Sequence, residues 1–236
     1  MIKKYLTTVM EVHEEAPDVK TFRLKFQEEH NFSFKAGQYI MVHAIKDAEE
    51  ESTPYSISTT PSEFQKTGWI EVCLKRVEGG FMSNYMHSLQ AGAEIKISGP
   101  YGRFLFTEPP EHDIIFLATG TGVSPLRSMI RRAFEIGVKK EIWLFFGART
   151  EKEIIWREEF EWLAKNHTNF HYIPTLSREQ WQGETGYVQD VMKKTFSNYQ
   201  GKEYYIAGVK AMVEEVVKLL QTLDVAQERI HTEKFV

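Results

Sequence analysis

A chain of 236 residues, 42% of them hydrophobic, holds material for one large domain or two ordinary ones. Residues 1–107 carry 12 Lys and Arg against 14 Asp and Glu, and residues 108–236 carry 17 against 19, so neither half is basic enough for a nucleic-acid binder. The single cysteine, Cys73, excludes an intrachain disulfide and a four-cysteine iron–sulfur cluster built from these residues alone. With no signal peptide and no apolar run of about 18 residues, the expectation is a soluble cytoplasmic protein without a membrane span.

In chain order, residues 2–13 and 19–27 alternate apolar with polar, most clearly over 21–26, and read as antiparallel strands. Residues 34–42 read as a turn and then a strand, and residues 47–51 as an acidic, solvated loop. Thr53-Pro54-Tyr55-Ser56-Ile57-Ser58-Thr59 is an extended run rich in hydroxyls. Residues 69–77 are a further strand, with Cys73 packed in its middle. Gly79-Gly80 opens a turn into a short helix that carries Tyr85, Met86 and Leu89 at helical spacing, a candidate anion site. Gly99-Pro100-Tyr101-Gly102-Arg103-Phe104 ends this half before a Pro109-Pro110 linker. About six short strands at this spacing predict a closed antiparallel β-barrel over 1–107.

The second half changes period. Ile114-Ile115-Phe116-Leu117 reads as a buried parallel strand, followed by Thr119-Gly120-Thr121-Gly122 and a helix with Leu126, Met129, Ile130, Ala133 and Phe134 on one face. Ser124 suits its N-cap, Pro125 its first position and Gly137 its end. The spacing is G-x-G-x-x-P rather than G-x-G-x-x-G, yet a glycine turn at a helix start still suits a dinucleotide pyrophosphate. Strands at 142–147, 170–174 and 203–207 then alternate with helices at 152–164, from 187, and around Met212, Val213, Val216 and Leu220. A last strand begins at Ile230. This is the pattern of an α/β Rossmann-like parallel sheet over 108–236, with ligands beyond the carboxyl ends of the strands, where Thr121, Arg149, Ser177 and Gly208 fall. Trp143, Trp156 and Trp162 are expected in or beside the core. His167 and His171 stand four apart, but the strand beginning near Phe170 breaks any shared helix face, so no metal site is expected.

Seven motifs fall in one order: Gly37-Gln38-Tyr39; Thr53-Pro54-Tyr55-Ser56; Cys73-Leu74-Lys75-Arg76 with Gly79-Gly80 and Ser83-Asn84; Gly99-Pro100-Tyr101-Gly102-Arg103-Phe104; residues 119–125; Gly208; and Glu233-Lys234-Phe235. Together they resemble the ferredoxin–NADP reductase superfamily over nearly the whole chain. The resemblance implies FAD, or FMN, held by Thr53, Tyr55, Ser56 and Ser58, by Cys73, Leu74 and Lys75, and by Gly80, Phe81, Met82 and Ser83. It implies NADPH or NADH held by Thr121, Gly122, Pro125, Gly147, Arg149, Ser177, Arg178, Gly208 and Met212. Tyr55 would lie on one face of the flavin ring and Phe235 on the other, with Ser56 and Glu233 serving hydride and proton transfer.

Two positions depart from the family pattern. Thr53 stands where an arginine would pair with flavin phosphate, and Ala207 where many members carry a cysteine. The implied activity is transfer of a hydride from NAD(P)H, with electrons passed on to a one-electron carrier such as ferredoxin. One alternative is an NAD(P)H:flavin reductase that releases reduced flavin. The other is a non-catalytic electron-transfer subunit of a larger complex. Arg149 and Arg178, with no acidic residue read directly at the strand end, lean towards NADPH.

Overall fold

Six strands of the first unit pair antiparallel because their side chains alternate: on β2 (Val19–Phe26), Val19, Phe22, Leu24 and Phe26 are buried while Lys25 is exposed. The computed structural model describes residues 3–27 and 30–235, so Ile2 and Val236, included in the expected first and last strands, lie outside the described residues. The other strands are β1 (Lys4–Ala16), β3 (Tyr39–Lys46), β4 (Glu49–Ser56), β5 (Trp69–Lys75) and β6 (Glu94–Tyr101), in the order β4-β3-β6-β1-β2-β5. An antiparallel bridge between Ile57 and Val72 joins the end of β4 to β5. The two edge strands thereby meet, and the sheet closes into the expected barrel around Phe22, Leu24, Ile40, Val42, Ile70 and Ile97.

Two features of this unit differ from expectation. Residues 47–51 are not a loop. The turn is only Asp47 and Ala48, both in the left-handed region (φ 50° and 68°), and the chain is strand again from Glu49. Positive φ at both central residues is the twist a two-residue hairpin requires. A helix, α1 (Pro61–Thr67), also lies where none was expected. Its signals are local: Thr60 Oγ1 accepts the Glu63 N–H at 3.0 Å, Pro61 opens the first turn, and Gly68 ends it at φ 71°. The second helix is α2 (Phe81–Ser88).

The compact units are Met1–Phe106 with Arg127–Arg132, and Thr107–Leu126 with Ala133–Val236. The second holds a parallel sheet of β7 (Asp113–Thr119), β8 (Ile142–Ala148), β9 (Phe170–Leu176), β10 (Glu184–Thr185), β11 (Lys202–Val209) and β12 (Ile230–Phe235), ordered β10-β9-β8-β7-β11-β12. The helices are α3 (Val123–Glu135), α4 (Arg157–Asn166), α5 (Val188–Thr195) and α6 (Lys210–Thr222). β7 is apolar without alternation because residues 114–118 are buried on both faces. The chain runs outward from β7 through β8 to β9, then returns to β11 on the other side, so the order reverses at β7.

Three local expectations are corrected in this unit. Gly120–Gly122 forms a 3-10 turn that runs directly into α3, so Ser124 is the second helical residue rather than its cap, and Pro125 the third. The expected helix over 152–164 is broken: Glu151–Glu153 is a 3-10 turn, Trp156 takes the left-handed conformation (φ 52°), and α4 starts at Arg157. Trp162 is 59% exposed and outside the core. His167 stacks on Phe134 (centroids 4.0 Å apart) and His171 on Trp143 (3.9 Å), so each ring is occupied separately. No helix among the described residues is long and apolar enough to cross a membrane.

Candidate functional site

On the barrel, β4 presents alternate side chains to one face. Glu51, Thr53 and Tyr55 are half-buried while Glu50, Ser52 and Pro54 are exposed. Tyr55 packs on the barrel core together with Phe81 and Tyr85 of α2. Its hydroxyl is buried with no hydrogen-bond partner, and burial pushes its pKa up to about 12, so it stays a protonated donor. A buried hydroxyl without a partner is a group waiting for an acceptor.

α2 starts at Gly80 without a side-chain cap, leaving its first N–H groups to an outside partner. The approach is shaped by its own loop: the Val77 N–H donates to Ser83 Oγ at 3.0 Å, and Asn84 Nδ2 donates to the Val77 and Gly80 carbonyls. A Cβ on Gly80 would crowd Ser83 Oγ at 2.9 Å, so glycine keeps this entrance open. The residues therefore fit a flavin: an apolar aromatic shelf, an unpartnered donor and an uncapped helix start on one unit.

The structure separates the flavin candidates into two groups. Thr53, Tyr55, Phe81, Gly80 and Lys75 are partly or fully accessible. Ser56, Cys73, Leu74, Met82 and Ser83 are buried. Ser58 is fully buried and its hydroxyl donates to the Glu71 carbonyl at 3.1 Å and to Glu71 Oε1 at 3.2 Å. Glu71 also receives Arg127 Nη1 on Oε1 at 2.6 Å and Arg23 Nε on Oε2 at 3.2 Å. This buried charge cluster escaped sequence reading because its members come from three distant segments.

In the second unit, strand register brings the nucleotide candidates to one edge. Thr119 stands beside Gly147, Ala148 beside Leu176, Ala118 beside Ala207, and Val209 beside Phe235. The glycine turn, Gly147, Arg149, Ser177, Gly208 and Phe235 thus all lie at the carboxyl ends of parallel strands. Gly120 adopts φ +53° with open space where a Cβ would go. Gly122 and Gly208 serve a different purpose. A Cβ on Gly122 would come inside 3.0 Å of the Ala207 carbonyl and the Gly208 Cα, and one on Gly208 would strike Thr119. These two glycines let the β7 turn and the end of β11 close on each other, pinned by the Val209 N–H on Thr119 Oγ1 at 3.1 Å. Ser124 Oγ is buried there without a partner.

The outer part of this edge holds an open pocket of about 400 Å³ lined by Leu176, Ser177, Arg178, Glu179, Gln180, Thr185 and Gly186. The Arg178 N–H donates to the Arg149 carbonyl at 3.0 Å, tying the two loops together. Contrary to the sequence reading, acidic groups stand at this strand end: Glu153 accepts the Arg149 N–H at 3.0 Å and Glu179 the Glu151 N–H at 2.8 Å. They come from the 3-10 turn and the β9 loop, which fold back on β8.

Two family models match the chain, an oxidoreductase FAD-binding domain over residues 6–106 and an oxidoreductase NAD-binding domain over residues 116–218. The phenol hydroxylase P5 protein of Acinetobacter pittii is 36% identical over 241 residues, covering all of this chain and 66% of that protein, so this chain spans just under two thirds of it. The ferredoxin–NADP reductase B of Sorangium cellulosum is 36% identical over 215 residues, with 86% of each chain covered. Among solved structures, the Amycolatopsis cytochrome P450 reductase GcoB superposes with a TM-score of 0.89 at 28% identity, over 99% of this chain and 70% of that one. Fold and matches define a chain built of an oxidoreductase FAD-binding domain followed by an oxidoreductase NAD-binding domain. The chain belongs to the ferredoxin–NADP reductase superfamily.

Proposed function

We propose that this chain takes a hydride from NAD(P)H onto bound flavin and passes electrons to a one-electron carrier lying outside these residues, of ferredoxin type. The observation that supports this most is that one chain carries both the Tyr55–α2 shelf and the β7–β11 nucleotide edge. When bound, FAD supplies two-electron acceptance and one-electron release. The protein's part is binding and orientation. Tyr55 covers one ring face and excludes water, and the α2 start holds phosphate. Leu74 and Lys75 would line the flavin through their backbone, and Ser56 would serve the hydride-accepting edge of the ring with its hydroxyl. Glu233 would assist proton transfer, and Phe235 would screen the second face. The glycine turn with Thr121 and Pro125 receives the nucleotide pyrophosphate, with Gly208 and Met212 beside it. Purified protein with no flavin absorbance, and none after incubation with FAD, would overturn the proposal.

Thr53 favours a second reading, in which weakly held flavin is a substrate and reduced flavin the product. Steady-state rates that saturate with free flavin support it, and flavin surviving gel filtration counts against it. For the nucleotide, we propose that Ser177 and Arg178 recognise the 2′-phosphate of NADPH, since both line the open pocket beyond β9, where the neighbouring Glu179 carboxylate is engaged by the Glu151 N–H. Arg178→Ala should then raise KM for NADPH more than for NADH, and equal effects would remove this reading. Removing Phe235 and Val236 should change the flavin absorbance band and strengthen nicotinamide binding. Unchanged spectrum and affinity would dismiss Phe235 as the screen.

A further inference from the structure

We infer that Lys46 supplies the cationic flavin-phosphate contact that Thr53 cannot make. The inference rests on the proposed flavin position. Along the β3–β4 hairpin, Val42 pairs with Thr53, Ala44 with Glu51 and Lys46 with Glu49. Paired residues of an antiparallel ladder share a face, so Lys46, Glu51, Thr53 and Tyr55 all project from the same side of the hairpin.

Lys46 is exposed, yet its ammonium has two neighbours. Its ammonium lies 5.6 Å from the centroid of the Phe81 ring, the first residue of α2, and 3.2 Å from Glu51 Oε1. The charge therefore stands over the first side chain of α2, beside one carboxylate, on the strand pair that carries Thr53. A four-carbon stem leaves the ammonium free to leave Glu51 for a phosphate oxygen, because an exposed ion pair of this kind is worth little. Glu51 is then a competitor for Lys46, and its charge lowers the affinity for phosphate.

The test is equilibrium titration of flavin-free whole protein with FAD and, separately, with riboflavin, which has the ring but no phosphate, followed by flavin fluorescence. Lys46→Met keeps the stem over Phe81 and removes the charge. It should weaken FAD binding about ten-fold, the size of one charge-assisted contact. Riboflavin binding should stay within about two-fold, since no phosphate contact is lost. Glu51→Gln should tighten FAD and leave riboflavin unchanged, and Lys46→Arg should retain wild-type FAD affinity. FAD affinity unaltered in Lys46→Met, or FAD and riboflavin weakened alike, overturns the inference. Wild-type protein that binds neither flavin would instead sink the flavin position on which the inference stands.

Discussion

Gly120 and Gly122 stand two apart in one turn, yet they answer to different constraints. At Gly120 only the backbone conformation matters, because a Cβ would point into open space. Gly120→Ala should cost about 1 kcal/mol, the strain of a left-handed alanine. At Gly122 the Ala207 carbonyl and Gly208 occupy the place a methyl group would take. Gly122→Ala should cost about 3 kcal/mol, the upper range of overpacking, and should also weaken nucleotide binding because the turn must shift. Urea denaturation of the two variants checks this, and equal losses would mean that Gly122 is not held against β11. Ser58 shows the same dependence on place: its hydroxyl belongs to Glu71, whereas that of Tyr55 has no partner.

Among elements, β12 depends most on one side-chain cluster. It pairs in parallel with β11, from Tyr204 beside Ile230 to Val209 beside Phe235. Near its start, Glu203 accepts His231 Nε2 at 2.8 Å, Thr107 Oγ1 at 3.0 Å and the Tyr205 hydroxyl at 3.3 Å. The His231 N–H, foremost among these, holds the Glu203 carboxyl below its ordinary value of 4.5. A depressed folded pKa contributes stability above the unfolded value, and that contribution is lost as pH falls through the folded one. Between about pH 6 and about pH 3, wild type should therefore lose stability faster than Glu203→Gln, whose amide cannot titrate. Thermal unfolding midpoints across that range test it, and parallel curves would show that Glu203 carries no such linkage. α1 offers a simpler case. Thr60→Ala removes its cap and should cost about 1 kcal/mol.

At the scale of the whole molecule, the first unit is not a continuous stretch of chain. Arg127–Arg132, from α3, belongs with Met1–Phe106. Arg127 meets Glu71 at 2.6 Å, Ser128 Oγ donates to the Thr59 carbonyl at 2.6 Å, and Arg131 reaches Glu63 at 2.8 Å. The Arg127 and Glu71 side chains are 9% and 4% exposed, so either charge without the other is costly. Glu71→Gln should destabilise by about 3–5 kcal/mol by stranding the buried guanidinium. A fragment of residues 1–106 expressed alone should lack cooperative unfolding by circular dichroism, because Glu71 loses Arg127 and the Thr59 carbonyl loses Ser128. A sharp, reversible transition for that fragment would show that the segment is dispensable.

Element types and their order were legible in the chain, since periodicity, caps and turn residues act between near neighbours. The alternation over 21–26 and the unbroken apolar run at 114–117 predict the two kinds of sheet, and the ordered motifs carry the family. α1 was equally legible from Thr60, Pro61 and Gly68, although it is not among the expected elements. The acidic stretch at 47–51 misled because charge alone does not tell a loop from an edge strand. What folding alone decided are meetings across long separations: Arg127 with Glu71, Gly122 with Ala207, Lys46 with Phe81. None leaves a local pattern, because each depends on tertiary packing, such as strand register in one sheet or the other, to bring together residues that are strangers in the chain. The parts of the candidate sites visible beforehand are those built on a single turn. The parts that were not are those in which two segments share one small volume.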